Sequence, residues 1–276
     1  MANSEYVTET VRGKQILDND SHTSGKSGMD KESMLMWSYG KLETLNLFIP
    51  RLMGGSSTEE GSERMMNRVQ ELVQENVSSQ EEMDRISRGF GSLTYWGEQP
   101  GTSGPAYQGA VVVFLAILGF FFAWKKYRYW ILGASILTVF LAWGSNFMIV
   151  SDLFIDFVPF YNKFRAPSSI LVVVELLFPL IAIVGLYRFF NSNPDTETNS
   201  ENILTEDYKK KILTYVSAAV LGITFILLIF GKSVLGFHTD NEKAYLPPFL
   251  LDFLVEERLK MFRIDAIKAI IYVAVT

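Results

Sequence analysis

Hydrophobic and polar positions divide the chain near residue 107. Ahead of it the sequence is polar and rich in turn formers. After it, long apolar runs alternate with short charged breaks. Four runs, at 107–124, 129–143, 168–190 and 212–231, are too continuous for a soluble core and predict transmembrane helices. The second is short unless it continues through Asn146, Phe147 and Met148. A fifth run at 264–276 is 13 residues long. As a helix it reaches about 20 Å, against a hydrocarbon core of about 30 Å. The pattern predicts a mainly α, polytopic membrane protein: about four complete transmembrane helices, a truncated fifth, and an N-terminal α+β or irregular domain over 1–106.

Within 1–106 the pattern changes period. Residues 1–30 carry β-tolerant Val7, Val11, Ile16 and Leu17, suited to a short strand or sheet edge. The 30–47 stretch opens on an Asp30 cap signal and predicts one or two short helices broken near Gly40. Met65, Val69, Leu72, Val73 and Val77 form one apolar stripe at helical spacing. Such a stripe usually packs on its own domain. Ser79 and Glu82 have capping-box spacing and start a second helix. The 89–109 stretch is rich in glycine, with Pro100 and Pro105, which excludes regular structure. Tyr95, Trp96 and Tyr107 suit the headgroup level of a bilayer.

Charge adds orientation. Lys125, Lys126 and Arg128 separate the first two runs, while Arg188 and Lys209 to Lys211 flank the connection between the third and fourth. The positive-inside rule makes both connections cytoplasmic. Residues 1–106, the 145–167 connector and the 232–263 segment are then extracytoplasmic, and 191–211 forms a cytoplasmic linker, acidic in its first part. The domain units are thus 1–106, 107–190, 191–211 and 212–276. A polar domain of this size ahead of the first helix, with no apolar signal segment, implies preceding helices and an internal fragment of a larger protein. The expected location is the bacterial inner (cytoplasmic) membrane.

Composition removes several functions. A net charge of −5 with scattered basic residues gives no nucleic-acid face. There are no cysteines, which excludes disulfides and thiolate chemistry. His22 and His238 stand far apart in the sequence, so a divalent cation, if one binds, would rest on carboxylates. No cofactor is identified. Nucleotide-binding glycine motifs, nucleophile elbows and HExxH are absent.

Four places could carry chemistry. Glu175 lies inside the third run, where a carboxylate is costly and is expected to face the bundle interior or a cavity. Lys163 and Arg165 stand before that run among Phe157, Phe160, Tyr161 and Phe164. A guanidinium fork and an ammonium suit a lipid phosphate, although interfacial cations also simply snorkel. Trp96 with Glu98, Gln99 and Ser103 has sugar-subsite chemistry: a ring to stack on, with carboxylate and amide for hydroxyls. An interfacial Trp beside a solvated Glu is the plainer alternative. Glu43 and Asp30 are weaker candidates, and Glu81, Glu82 and Asp84 read as a solvated helix face.

Three ordered blocks add a resemblance: GMDKESMLMWSYGKLETLNLFIPRLMGG, TYWGEQPGTSGPAYQGAVVVFLAILG and LAWGSNFMIVSDLFIDFVPFYNKFRAPSSILVVVE. Together they resemble YfhO-type membrane proteins of Bacteroidetes, placed in the GT-C-like glycosyltransferase superfamily. The resemblance implies sugar transfer from a polyprenyl-phosphate donor to an envelope glycan or lipid acceptor on the outer membrane face. It implies a catalytic Asp or Glu in a first outer loop that this chain does not contain, leaving the base unnamed and the fragment inactive alone. Lys163 and Arg165 then become donor-phosphate contacts, and Trp96 and Glu98 sugar or acceptor contacts. Two other readings stay open: a transporter or lipid flippase with Glu175 on its path, and a non-enzymatic envelope assembly protein.

Overall fold

The computed structural model describes residues 29–59, 61, 63–104, 106–192 and 204–276. The strand or edge expected within 1–30 and most of the acidic linker lie outside these residues. Asp30 caps the first helix, α1 (Lys31–Leu35), by accepting the Ser33 N–H at 2.9 Å. A short 3-10 helix, Leu42–Leu47, follows. Next come α2 (Glu63–Asn76) and α3 (Gln80–Gly89), the latter capped by Ser79 as its spacing predicts. The Met65 and Val69 stripe is buried against Leu250 and Leu254, so it packs on its own chain.

The polar unit of residues 29–104, called the outer unit after its expected side, is helical and irregular, with no strand among the described residues. Its glycine-rich loops satisfy their backbone groups without a sheet ladder. Ser57 N–H donates to the Thr102 carbonyl at 2.9 Å, Thr102 N–H to Ser57 Oγ at 2.8 Å, and Thr94 Oγ1 to the Ser56 carbonyl at 3.2 Å. Once these exchanges are made, a strand has nothing to add.

The apolar part comprises α4 (Ala110–Phe122), α5 (Lys125–Ala142), α6 (Met148–Phe157), α7 (Val172–Asn191) and α8 (Glu206–Leu235). Among the described residues two helices are long and apolar enough to cross a membrane: α7 with its preceding 3-10 turn, 25 residues, and α8, 30 residues. A third span exists only if α5 and the Gly144–Phe157 segment are counted together, and these meet at a 116° bend. The expectation of four complete spans is therefore not met. Gly109 (φ +103°) starts α4 late and Ala123 ends it in an extended conformation, leaving 13 residues. Gly144 (φ +45°) lets the chain turn out of α5, and a Cβ there would collide with Ser38 Oγ.

The C-terminal run also differs from expectation. Residues 264–276 are the end of one 28-residue helix, α10 (Pro248–Val275), which follows the short α9 (Asp240–Tyr245). Most of the expected outer segment 232–263 is thus helix. Leu250, Leu254, Arg258, Phe262, Asp265, Ala269 and Val273 all fall on its buried face. Charges interrupt the run, yet the 3.6-residue period continues through them.

Helices α4 and α7 run parallel and pack most closely at Gly119 and Gly185. A Cβ on either would strike the other helix's backbone. At the far end from the outer unit, Arg188 donates to the Phe122 carbonyl at 2.9 Å and stacks over Trp124, while Lys209 stacks over Phe189. Arg188 and Lys209 thus stand at one end of the helices and the 29–104 unit at the other.

Candidate functional site

The most organised polar group in the outer unit is Glu43. It stands in the first turn of the Leu42–Leu47 helix and is 1% exposed. Its Oε2 accepts the Gly40 N–H at 2.7 Å, three residues back, as a first-turn glutamate commonly does. Its Oε1 accepts the Tyr95 hydroxyl at 2.8 Å, and that same hydroxyl oxygen accepts the Gln99 N–H at 3.0 Å. One buried side chain thereby joins the 40–47 turn to the 95–99 loop.

Burial pushes the Glu43 carboxyl above the usual glutamate range. The neighbouring Glu98 charge pushes the same way, while the Gly40 and Tyr95 bonds pull it down. Tyr95 is raised above an ordinary tyrosine by burial first and by the Glu43 charge second. Tyr39 rises for the same two reasons in the same order.

Glycine makes this arrangement possible. A Cβ on Gly40 would lie 3.0 Å from Glu98 Cδ and 3.1 Å from Glu43 Oε2, so the two carboxylates converge on a position with no side chain. A Cβ on Gly97 would collide with Glu43 Oε1 and the Tyr95 hydroxyl. Both carboxylates line a cavity of about 590 Å³, together with Trp96, Arg88, His238 and Asp240. An exposed carboxylate, a buried one and an aromatic wall can hold a hydroxyl-rich ligand.

The expected sugar platform is only partly as predicted. Trp96 does line this cavity, but it is 6% exposed and its ring packs 4.9 Å from Phe237 in the core. It is a wall rather than a free stacking face. Glu98 is exposed at the cavity. Gln99 turns away, its Oε1 accepting from Ser168 Oγ at 3.2 Å.

Lys163 and Arg165 occupy a second place. Lys163 is buried, 6% exposed, in the turn Tyr161–Lys163. Arg165 is exposed and lies with its guanidinium 5.2 Å from the Trp37 ring centre. It borders a separate, largely apolar cavity of about 290 Å³ with Met34, Leu35, Tyr161, Phe164 and Ile170. Phe160 (φ +66°) and Ala166 (φ +64°) bracket this stretch in the left-handed region, a strained conformation for residues with a Cβ. The two places are linked but not merged. Trp37 Nε1 donates to the Gly101 carbonyl at 3.1 Å, and Ser168 reaches Gln99.

Glu175 does not face the interior. It is exposed in the first turn of α7, and its carbonyl accepts from Gln108 Nε2 at 3.1 Å. That contact sets it level with the start of α4, near the end of the bundle. Val174, Leu177 and Ile181 take the buried face, which turns Glu175 outward.

Sequence reasoning placed Glu43 below the other candidates. The signal present was Gly40 three residues ahead of a glutamate at a helix start. Arg88, His238 and Asp240 had no local signal, because α3 and the 236–240 turn meet only in the fold. Among the described residues no group of three or more histidine or acidic side chains could hold a metal ion. No family model, no curated protein and no solved structure matches the chain.

Proposed function

We propose that this chain is the membrane-embedded part of a GT-C-type glycosyltransferase. It takes a sugar from a polyprenyl-phosphate donor and passes it to an envelope glycan or lipid acceptor. The working face is the outer side of the bacterial cytoplasmic membrane, and the 29–104 unit stands on that side. The observation that carries this reading is the cavity bounded by Glu43 and Glu98, at the end of the helices opposite Arg188. The likeness of the three sequence blocks to YfhO-type proteins supports it.

In this reading Glu98 accepts hydroxyl hydrogen bonds from the sugar or acceptor. Glu43 holds the loop that presents it, through Gly40 and Tyr95. Arg165 supplies positive charge to the donor phosphate, while the apolar cavity beside it takes the first part of the lipid. Residues gathered at two linked cavities suit a donor and an acceptor better than one small ligand. Glu175 is exposed and lines neither of these cavities, so no observation favours the transporter reading over this one.

The test is transfer of radiolabelled sugar from a polyprenyl-phosphate donor by the full-length protein in proteoliposomes. Loss of a charge-assisted phosphate contact is worth about 1.5–3 kcal/mol. Arg165→Ala is thus expected to raise the donor KM about 10- to 100-fold. Glu98→Gln is expected to raise the donor KM if Glu98 holds the transferred sugar, or the acceptor KM if it holds the acceptor. Wild-type constants in both variants would sink the assignment.

A further inference from the structure

The helix after the 116° bend has a surface that no described residue covers. Ile149, Leu153 and Phe157, at i, i+4 and i+8 along α6, are 76%, 54% and 79% exposed. The stripe continues past the helix end through Val158, Phe160 and Phe164, all exposed. Elsewhere α6 is engaged at several points, while Asp156 is exposed at the edge of the stripe. Ser151 Oγ donates to the Gly144 carbonyl at 2.8 Å, Asp152 pairs with Lys31 of the outer unit, and the Phe154 ring packs 5.6 Å from Tyr161.

We infer that α6 lies in the interface of the bilayer, its Ile149–Leu153–Phe157 stripe seated among the upper acyl chains on the outer-unit side. Three observations select lipid as the occupant. Ten residues make about 15 Å of helix, half of what a crossing needs, so α6 cannot complete the span that α5 begins. The 116° bend instead swings it across the end of α5. Apolar surface is also open on the span α7, where Val172 and Leu176 near its start are exposed. Asp152 and Lys31 pair on the side toward the outer unit, and exposed Arg165 stands beyond the stripe's end, at headgroup level. Polar groups toward water and apolar groups toward hydrocarbon define an interfacial amphipathic helix. This inference is independent of glycosyl transfer.

The absence of cysteine makes single-cysteine labelling of the whole chain direct. Leu153→Cys, Phe157→Cys, Ile226→Cys in mid-α8 and Glu75→Cys on α2 are each labelled with a nitrobenzoxadiazole probe. They are then reconstituted into phosphatidylcholine–phosphatidylglycerol vesicles brominated either near the headgroup or near the chain ends. Probes at 153 and 157 are expected to emit at shortened wavelength. They should lose most of their emission to shallow bromine and little to deep bromine. Ile226 should show the reverse, and Glu75 neither. Unquenched emission at 153 and 157, whether water-like or protein-covered, overturns the inference. So does quenching at those sites that follows the Ile226 pattern, which would mean a deep re-entrant segment.

Discussion

Glu43 is the residue on which the outer unit turns, and its protonation follows from its surroundings. A carboxylate 1% exposed is held by one backbone N–H and one tyrosine hydroxyl, with a second carboxylate close by. Burial dominates, so the folded pKa lies above the unfolded value of about 4.3. The native state then binds this proton more tightly than the unfolded chain. The resulting stabilisation is fully present below the unfolded pKa and is lost as pH rises through the folded one. Glu43→Gln cannot titrate. Relative to it, the wild-type unfolding midpoint should therefore fall as pH rises from 4, by an amount set by the shift, and then level off. Thermal unfolding in nanodiscs between pH 4 and pH 8 checks this. A constant difference across that range would mean that Glu43 is not shifted upward. At this scale the sequence was half legible. Local chemistry singles out Trp96 and Glu98, which stand two residues apart. Glu43 needed Tyr95 and Glu98 beside it, and only folding supplies them.

Among the helices, apolar content was readable and length was not. Runs 168–190 and 212–231 became α7 and α8 because no glycine with positive φ interrupts them. Runs 107–124 and 129–143 fell short because Gly109 and Gly144 redirect the backbone, one by delaying α4 and the other by bending the chain beyond α5. Composition counts both glycines as apolar and misses the turn. Other glycines serve packing. At Gly119 an added methyl has no room, because it would collide with the carbonyl of Ile181 and crowd the Ala182 nitrogen. In membranes, where lipid is as apolar as leucine, such close backbone approach is what holds helices together. Gly222, on the exposed side of α8, has nothing within 4 Å of a Cβ. Gly119→Ala should therefore destabilise the protein by about 1–3 kcal/mol through overpacking. Gly222→Ala should be neutral or stabilise by about 0.5–1 kcal/mol through helix propensity. Unfolding in mixed micelles of dodecyl maltoside and sodium dodecyl sulfate separates them, and equal effects would remove the crossing as the cause.

For the whole molecule the decisive contacts join the outer unit to α10, a helix whose charges made its first half look like a loop. Arg51 forms a bidentate pair with Asp265, 214 residues away, and Asp265 is almost fully buried. Separations of that size leave no trace in a linear pattern. The period of α10 did leave one, since Arg258 and Asp265 sit on the same face as Leu250, Phe262 and Ala269. A buried arginine on an apolar stripe announces a partner. Arg258 has several: both Glu242 oxygens at 2.6 and 2.8 Å, and the carbonyls of Ser92, Leu93 and Phe237 at 2.7, 3.1 and 3.0 Å. This decides what its removal does. A buried ion pair replaced as a whole by apolar residues is often neutral or stabilising, because two desolvated charges go together. Here that replacement also strands three carbonyls, each worth about 1–3 kcal/mol when buried without a donor. Arg258→Met is expected to cost at least about 3–5 kcal/mol, as for any broken buried pair. The double variant Arg258→Met/Glu242→Met should recover only the part due to the uncompensated carboxylate and stay well below wild type. Glu242→Gln should cost less than Arg258→Met, because the three carbonyl bonds persist. Chemical unfolding of the four proteins in nanodiscs reads these differences directly. If the double variant regained wild-type stability, Arg258 would be an ordinary ion-pair partner and not the clamp between the outer loops and α10.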